Sequence, residues 1–340
     1  MYTILTHARG IKLIDFYNDN NFHVVLSNYG ASIFEIQQKN KAGILETITL
    51  SPQSSYYFNN DKFSGLTVGR VAGRIKNSEF EIGDKTYKIK SPNPNFLHHS
   101  GPKTISYRMY DFFINNYTES TKVTYVLKIK DMEDDFPGDL ELRVIYSLYK
   151  KVDKITIEFQ AISSKDTLLN ITNHTYFNLS GNLKRDILDE YLTINKNYVS
   201  MFDKDFCLEY MEALTKEFDF RKPMRIGEYI ESQKVQSMTK GYDHYYMDKK
   251  PLELTLYDPT SNRCLEIKSD YHDVVIYTNN HENNTLYLNG VKDKKYLGIA
   301  IEPCLFSNIL TKNGLITKAN SLYNHKIEYT FKVKEDTNVK

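Results

Sequence analysis

The segment "DLELRVIYSLYK" (139–150) puts Leu140, Leu142, Val144, Tyr146 and Leu148 at every second position. Successive side chains of an extended chain point to opposite faces, so this period marks a strand with one face toward a core. The pattern continues on both sides. In "KVTYVLKIK" (122–130), Val123, Tyr125, Leu127 and Ile129 share one face. Lys122, Thr124, Lys128 and Lys130 share the other, with Val126 as the exception. "KITIEFQA" (154–161) alternates in the same way. Farther out, "FEIGDKTYKI" (80–89) predicts a hairpin turning at Gly83-Asp84, and "FHVVLSNYGASIFEI" (22–36) predicts two strands joined near Asn28-Tyr29-Gly30. Later strands are expected over 252–258, 264–270, 273–279, 297–302 and 326–333. Helical periodicity is scarce, with short turns expected only near 51–60 and 223–232. No strand–helix–strand rhythm supports a parallel sheet or a dinucleotide fold. With no internal repeat and no Pro/Gly/Ser linker, the expected architecture is all-β. It is one large antiparallel β-sandwich domain over residues 1–340, with few short helices and a frayed tail at "KEDTNVK".

The chain has 340 residues and a formal net charge of +1, so no electrostatic field favours nucleic acid or a membrane surface as partner. The N-terminal "MYTILTHARG" has no basic stretch followed by an apolar run, and no segment has the length of apolar residues a membrane helix needs. Cys207, Cys264 and Cys304 are odd in number and widely spaced, which predicts reduced thiols and a cytoplasmic location. The N-x-S/T triplets are then accidental. Tryptophan is absent while Tyr (27) and Phe (18) abound, so any aromatic platform for a ligand is built from these two.

Four clusters break the strand pattern: "GRVAGRI" (69–75), "NFLHHSG" (95–101), "NITNHTYFNLSG" (170–181), and the acidic pair of "KGYDHYYM" (240–247) with "GIAIEPCLF" (298–306). The third reads as a strand that has been opened, with Asn173, His174 and Thr175 among apolar residues. His174 is open to three readings: a hydrogen-bonded core histidine, a metal ligand or an acid–base catalyst. Glu302 ends an apolar run and precedes Pro303, so it is expected at a strand end with its carboxylate in a cleft or paired. Of the adjacent His98 and His99, strand geometry lets at most one enter a common site. His99, His244, His23, His272 and His281 are expected to be structural or on the surface, as is Arg70. Asp243 follows Gly241-Tyr242 in a turn-like context, and Arg74 offers a planar fork of donors for two neighbouring oxygens. Tyr277-Thr278-Asn279 could add polar contacts. His98, His174, Asp243 and Glu302 can all ligate metals, but no HExxH, HxH or close Cys pair supports a metal site, and none is expected.

Taken together, "GRVAGRI", "NFLHHSG", "TNHTYFNLSG", "KGYDHYYM" and "GIAIEP", in this order on an all-β background, resemble the aldose 1-epimerase (galactose mutarotase) family. The resemblance runs from about "LSNYGASI" to the terminal strand. It implies a supersandwich, a cleft across one sheet, no cofactor and a small aldose sugar as partner. It also implies roles: Glu302 as general base, His174 as general acid, His98 holding the ring or C1 oxygen, and Arg74 and Asp243 binding sugar hydroxyls. This chain departs from the family in three places. Gly73 stands where many members have Asn, His99-Ser100 replaces Gly-Gly after Leu-His, and Pro303-Cys304 replaces Thr-Gln after the glutamate.

Such an enzyme removes the C1 hydroxyl proton while protonating the ring oxygen, then reverses the roles after rotation about C1–C2. A histidine with a pKa of about 6.5 and an ionised glutamate suit that exchange. The rival readings are a glycoside hydrolase or lyase using Glu302 and Asp243 as a carboxylate pair, a non-catalytic carbohydrate-binding protein, and a hexose-phosphate epimerase.

Overall fold

The computed structural model describes residues 1–53, 57–58, 60–203, 207–306 and 315–335. The predicted strand 139–150 runs from Leu140 to Tyr149 in the middle of the largest sheet. Its neighbours are the two strands that the same alternation predicted, Ser120–Ile129 and Lys154–Ser163. Val144 faces Tyr125 on one side and Phe159 on the other, so the three apolar faces coincide. This antiparallel sheet has nine strands and extends through Tyr323–Val333, Arg263–Ser269 and Leu252–Tyr257 to the edge at Met224–Arg225.

Two further large antiparallel sheets pack with it, and short two-stranded ladders flank them. A five-stranded meander covers residues 2–47. A six-stranded sheet has the order Tyr176–Phe177, Ile299–Cys304, Asp273–Tyr277, Asp243–Met247, Tyr198–Phe202, Leu208–Ala213. One hydrophobic core joins all three. Leu142, Val144 and Tyr146 of the largest sheet pack with Ile14, Val24 and Leu26 of the meander and with Phe177, Val274, Ile276 and Ile301 of the six-stranded sheet. Each such side chain, fully buried, stabilises the fold by about 1.5–3 kcal/mol.

The predicted hairpin turns where expected, pairing Ile82 with Lys85 around Gly83-Asp84. The turn near 51–60 falls partly outside the described residues, as does most of the tail. In 223–232 there is a single 3-10 turn, Ile226–Glu228. The seven-residue helix Gln233–Thr239 follows it, because the Ser232 side chain accepts from the Val235 N–H and caps it there. Strand 297–302 is corrected: the ladder starts at Ile299 and continues through Pro303 to Cys304. Pro303 is tolerated because its strand is paired there on one side only. Val274 lies opposite it, whereas the partner strand on the other side pairs no farther than Ala300. Arg70 is structural, as expected. It is fully buried, and its Nε and Nη2 donate to the two Asp134 carboxylate oxygens at 2.7 and 2.9 Å.

Candidate functional site: an imidazole–carboxylate pair in a cleft

The six-stranded sheet has two faces of different chemistry. Tyr246, Val274, Ile276 and Ile301 point into the core. The intervening residues point the other way, and the register aligns them: Asp243 opposite Tyr277, Tyr245 opposite Val275, and Val275 opposite Glu302. These five line a cleft of about 470 Å³. The period of two that builds the core therefore also carries two carboxylates to one surface.

His174 reaches the same cleft by a different device. Thr172–Asn173 pairs with Thr67–Val68, and Tyr176–Phe177 pairs with Ile299–Ala300. The chain changes partner between them, and His174-Thr175 lies at the change. The Asn173 side-chain oxygen accepts from both the N–H and the hydroxyl of Thr175, which fixes the bend. The His174 N–H donates to Leu66 O and its carbonyl accepts from the Gly65 N–H, which holds the backbone on both sides. The imidazole Nε2 then lies 3.2 Å from Glu302 Oε1. Both side chains are nearly closed to solvent, at 4% and 3% exposed.

Burial sets the protonation of this pair. It pushes the Glu302 carboxyl up to about 8; the Asp243 charge adds to that, and Arg74 opposes it. It pulls the His174 imidazole down to about 4. In contrast to the ionised glutamate expected from the sequence, burial favours a protonated carboxyl beside a neutral imidazole in the ligand-free pair.

Arg74 opens the strand Arg74–Lys76, which pairs with Phe96–His98 and sets Arg74 opposite His98. Its Nη2 donates to Asp243 Oδ2 at 2.9 Å. Burial alone would raise the Asp243 carboxyl, but the charge and hydrogen bond of Arg74 outweigh it and hold the group below the ordinary aspartate range. All five residues singled out in the sequence, Arg74, His98, His174, Asp243 and Glu302, line one cleft.

His99 departs from the expectation. Strand alternation places it in structure or on the surface, because neighbours on a strand face opposite ways. Here the strand ends at His98, and His99 has a left-handed φ of 47° that swings its ring back toward the site. Both histidines line the cleft, with ring centroids 3.8 Å apart. Of the remaining histidines, His244 is buried, His23 is buried beside Asp15, and His272 is exposed. His281 stands at the cleft wall. The sequence also left Lys62, Phe63 and Tyr176 unmarked, although they line the cleft. Lys62 Nζ bridges Asn279, the carbonyl of His281 and Asp293. Nothing local distinguishes this lysine from a solvated one; its partners lie more than 200 residues away.

Among the described residues, one group could offer three ligands to a metal ion: His99, His174 and Glu302, within 4.8 Å of one another. Their hydrogen bonding does not fit that use. A ligating imidazole normally donates its second N–H to a carbonyl or carboxylate. His99 Nδ1 instead accepts from the Gly73 N–H at 3.2 Å, and His174 Nδ1 has no partner among the described residues.

The chain is thus an all-β sandwich with a buried imidazole–carboxylate pair on its cleft, and its relatives place it among the aldose-isomerising enzymes. The chain belongs to the aldose 1-epimerase family, whose model matches residues 12–330. It is 28% identical to an aldose 1-epimerase of Haemophilus influenzae, over 94% of this chain and 96% of that protein. It is 26% identical to a galactose mutarotase of Sus scrofa, over 92% of each chain. The crystal structure of a galactose 1-epimerase from Lactobacillus acidophilus superimposes with a TM-score of 0.85, at 25% identity, over 98% of this chain and 99% of that one.

Proposed function

We propose that this single-domain chain is a mutarotase that interconverts the α and β anomers of a free hexose such as galactose or glucose, with Glu302 as general base and His174 as general acid. The observation that carries the reading is the 3.2 Å contact of these two groups, both buried, on the floor of the cleft. Anomer exchange needs one proton removed from the C1 hydroxyl and one delivered to the ring oxygen, with no net change. A pair holding one shared proton meets that balance. When the proton sits on His174, Glu302 is free to take the hydroxyl proton while the imidazolium protonates the ring oxygen. After rotation about C1–C2 the transfers run backwards. Positioned acids and bases of this kind contribute about 10² to 10⁴-fold each.

Arg74, Asp243 and His98 hold the ring over the pair; Arg74 and Asp243 present fixed donors and acceptors to its hydroxyls. The charges favour a neutral sugar over a phosphorylated one. Two cleft cations, Arg74 and Lys62, are already paired, with Asp243 and Asp293 respectively. A carboxylate-pair hydrolase fits less well, because Asp243 is engaged with Arg74. Cys264 and Cys304, buried free thiols, support a cytoplasmic location, and no helix among the described residues is long and apolar enough to cross a membrane. The test is polarimetry on freshly dissolved α-D-galactose and α-D-glucose, with the 6-phosphates as comparison. Fast decay of rotation with the free sugars supports the reading, and release of reducing sugar from an oligosaccharide would replace it with hydrolysis.

A further inference from the structure

Gly73 and His99 are bound to each other across the cleft wall. The His99 N–H donates to the Gly73 carbonyl at 3.0 Å, and the Gly73 N–H donates to His99 Nδ1 at 3.2 Å. The second bond decides the tautomer. With Nδ1 acting as acceptor, the neutral ring carries its proton on Nε2. Burial, with His98, His174 and Arg74 adding to it, holds the ring neutral. Its ring meets Phe63 at an interplanar angle of 64°, with centroids 4.8 Å apart, and lies perpendicular to the His174 ring at 5.3 Å. The ring is thus clamped on several sides, is 4% exposed, and borders the cleft. For Nε2 no protein partner exists among the described residues.

A ring nitrogen of His99, one of His174 and a carboxylate oxygen of Glu302 lie within 4.8 Å of one another. A point between three atoms so spaced lies within about 2.8 Å of each, an ordinary hydrogen-bond length. A sugar can therefore place its anomeric oxygen within reach of His99 and Glu302 while its ring oxygen lies against His174. We infer that His99 is a further catalytic residue of this enzyme, whose Nε2–H donates to the anomeric oxygen and supports the negative charge that develops there as Glu302 takes its proton. The inference rests on the mutarotase reading above. Proton bookkeeping is unchanged: the hydroxyl proton goes to Glu302, the ring oxygen receives one from His174, and His99 keeps its own. A fixed donor aimed at developing charge lowers the barrier without binding the ground state much more tightly.

Three substitutions separate this role from a structural one. His99→Gly removes the ring and accepts the left-handed backbone. His99→Asn also tolerates that backbone and keeps an acceptor for the Gly73 N–H, but is too short to reach the substrate. His99→Gln restores a donor near the Nε2 position. Anomer exchange is followed by polarimetry, with thermal unfolding of each variant alongside. The expected result is a loss of at least tenfold in kcat for His99→Gly and His99→Asn, with KM changed less than threefold, and at least partial recovery in His99→Gln. Wild-type kcat in His99→Gly would overturn the inference. So would wild-type kcat in His99→Asn beside a less active, less stable His99→Gly, since the bond to Gly73 would then be the whole role. Zn²⁺ inhibition that disappears in His99→Gly, with kcat otherwise unchanged, would assign the trio to metal binding instead. A wild-type enzyme that accelerates no anomer exchange would overturn this inference together with the reading it rests on; an active wild type with an indifferent His99 overturns the inference alone.

Discussion

His174 Nε2 lies 3.2 Å from Glu302 Oε1, and the burial that surrounds both groups drives their proton affinities apart, to about 4 and about 8. In the proposed mechanism the pair is competent only with a single proton. It takes up a second as pH falls through about 4 and loses its one as pH rises through about 8. We expect kcat/KM to be flat between these limits and to fall on both sides, with limbs belonging to the pair as a unit. A rate profile measured from pH 3.5 to 9.5 checks this; an acid limb near 6.5, or no alkaline limb, would contradict it.

The ion pair beside it tunes the alkaline limb. Asp243 raises the Glu302 proton affinity and Arg74 lowers it. Asp243→Asn should move the alkaline limb to lower pH, and Arg74→Met should move it higher. Each substitution also leaves a buried partner unpaired and removes a proposed contact to the sugar, so KM should rise about 10- to 100-fold. Limbs that move in the same direction would refute the electrostatic account.

Away from the cleft, the bidentate pair of Arg70 and Asp134 is buried on both sides. Removing one partner strands a charge in the interior, so Arg70→Met should cost about 3–5 kcal/mol. Urea unfolding measures it, and a change below 1 kcal/mol would show that the pair is dispensable.

Neutral buried imidazoles make the fold sensitive to acid. His244 packs on Phe218 and Phe202, and burial pulls its pKa down to about 4. A folded-state value below the unfolded one of about 6.5 means that its stabilisation is complete above pH 6.5 and is lost as pH falls toward 4. Denaturant midpoints should drop over that interval, and His244→Phe should remove about 2–3 kcal/mol of the drop. An unchanged slope in the variant would place the acid sensitivity elsewhere.

The two-residue period of 122–161 was enough to read the sandwich, because burial of one face leaves an unambiguous pattern. The same period put Asp243 and Glu302 on one surface once the register was known, but the register itself depends on long-range pairing that no local segment encodes. His99 was misread for a related reason. Alternation was applied one residue past the end of the strand, where a left-handed turn cancels it. The raised proton affinity of Glu302 is not legible in the sequence, because an ordinary carboxyl pKa assumes solvent and this carboxyl is 3% exposed. Lys62 left no trace in the sequence, since its partners come from a distant loop.

The central claim is that Glu302 and His174 exchange the protons of ring opening, and the most direct measurement is the rate at which Glu302→Gln and His174→Asn relax freshly dissolved α-D-galactose or α-D-glucose in a polarimeter. Each should lose at least about 10²-fold in kcat with its unfolding transition unchanged. A near-normal rate in either folded variant would contradict the account.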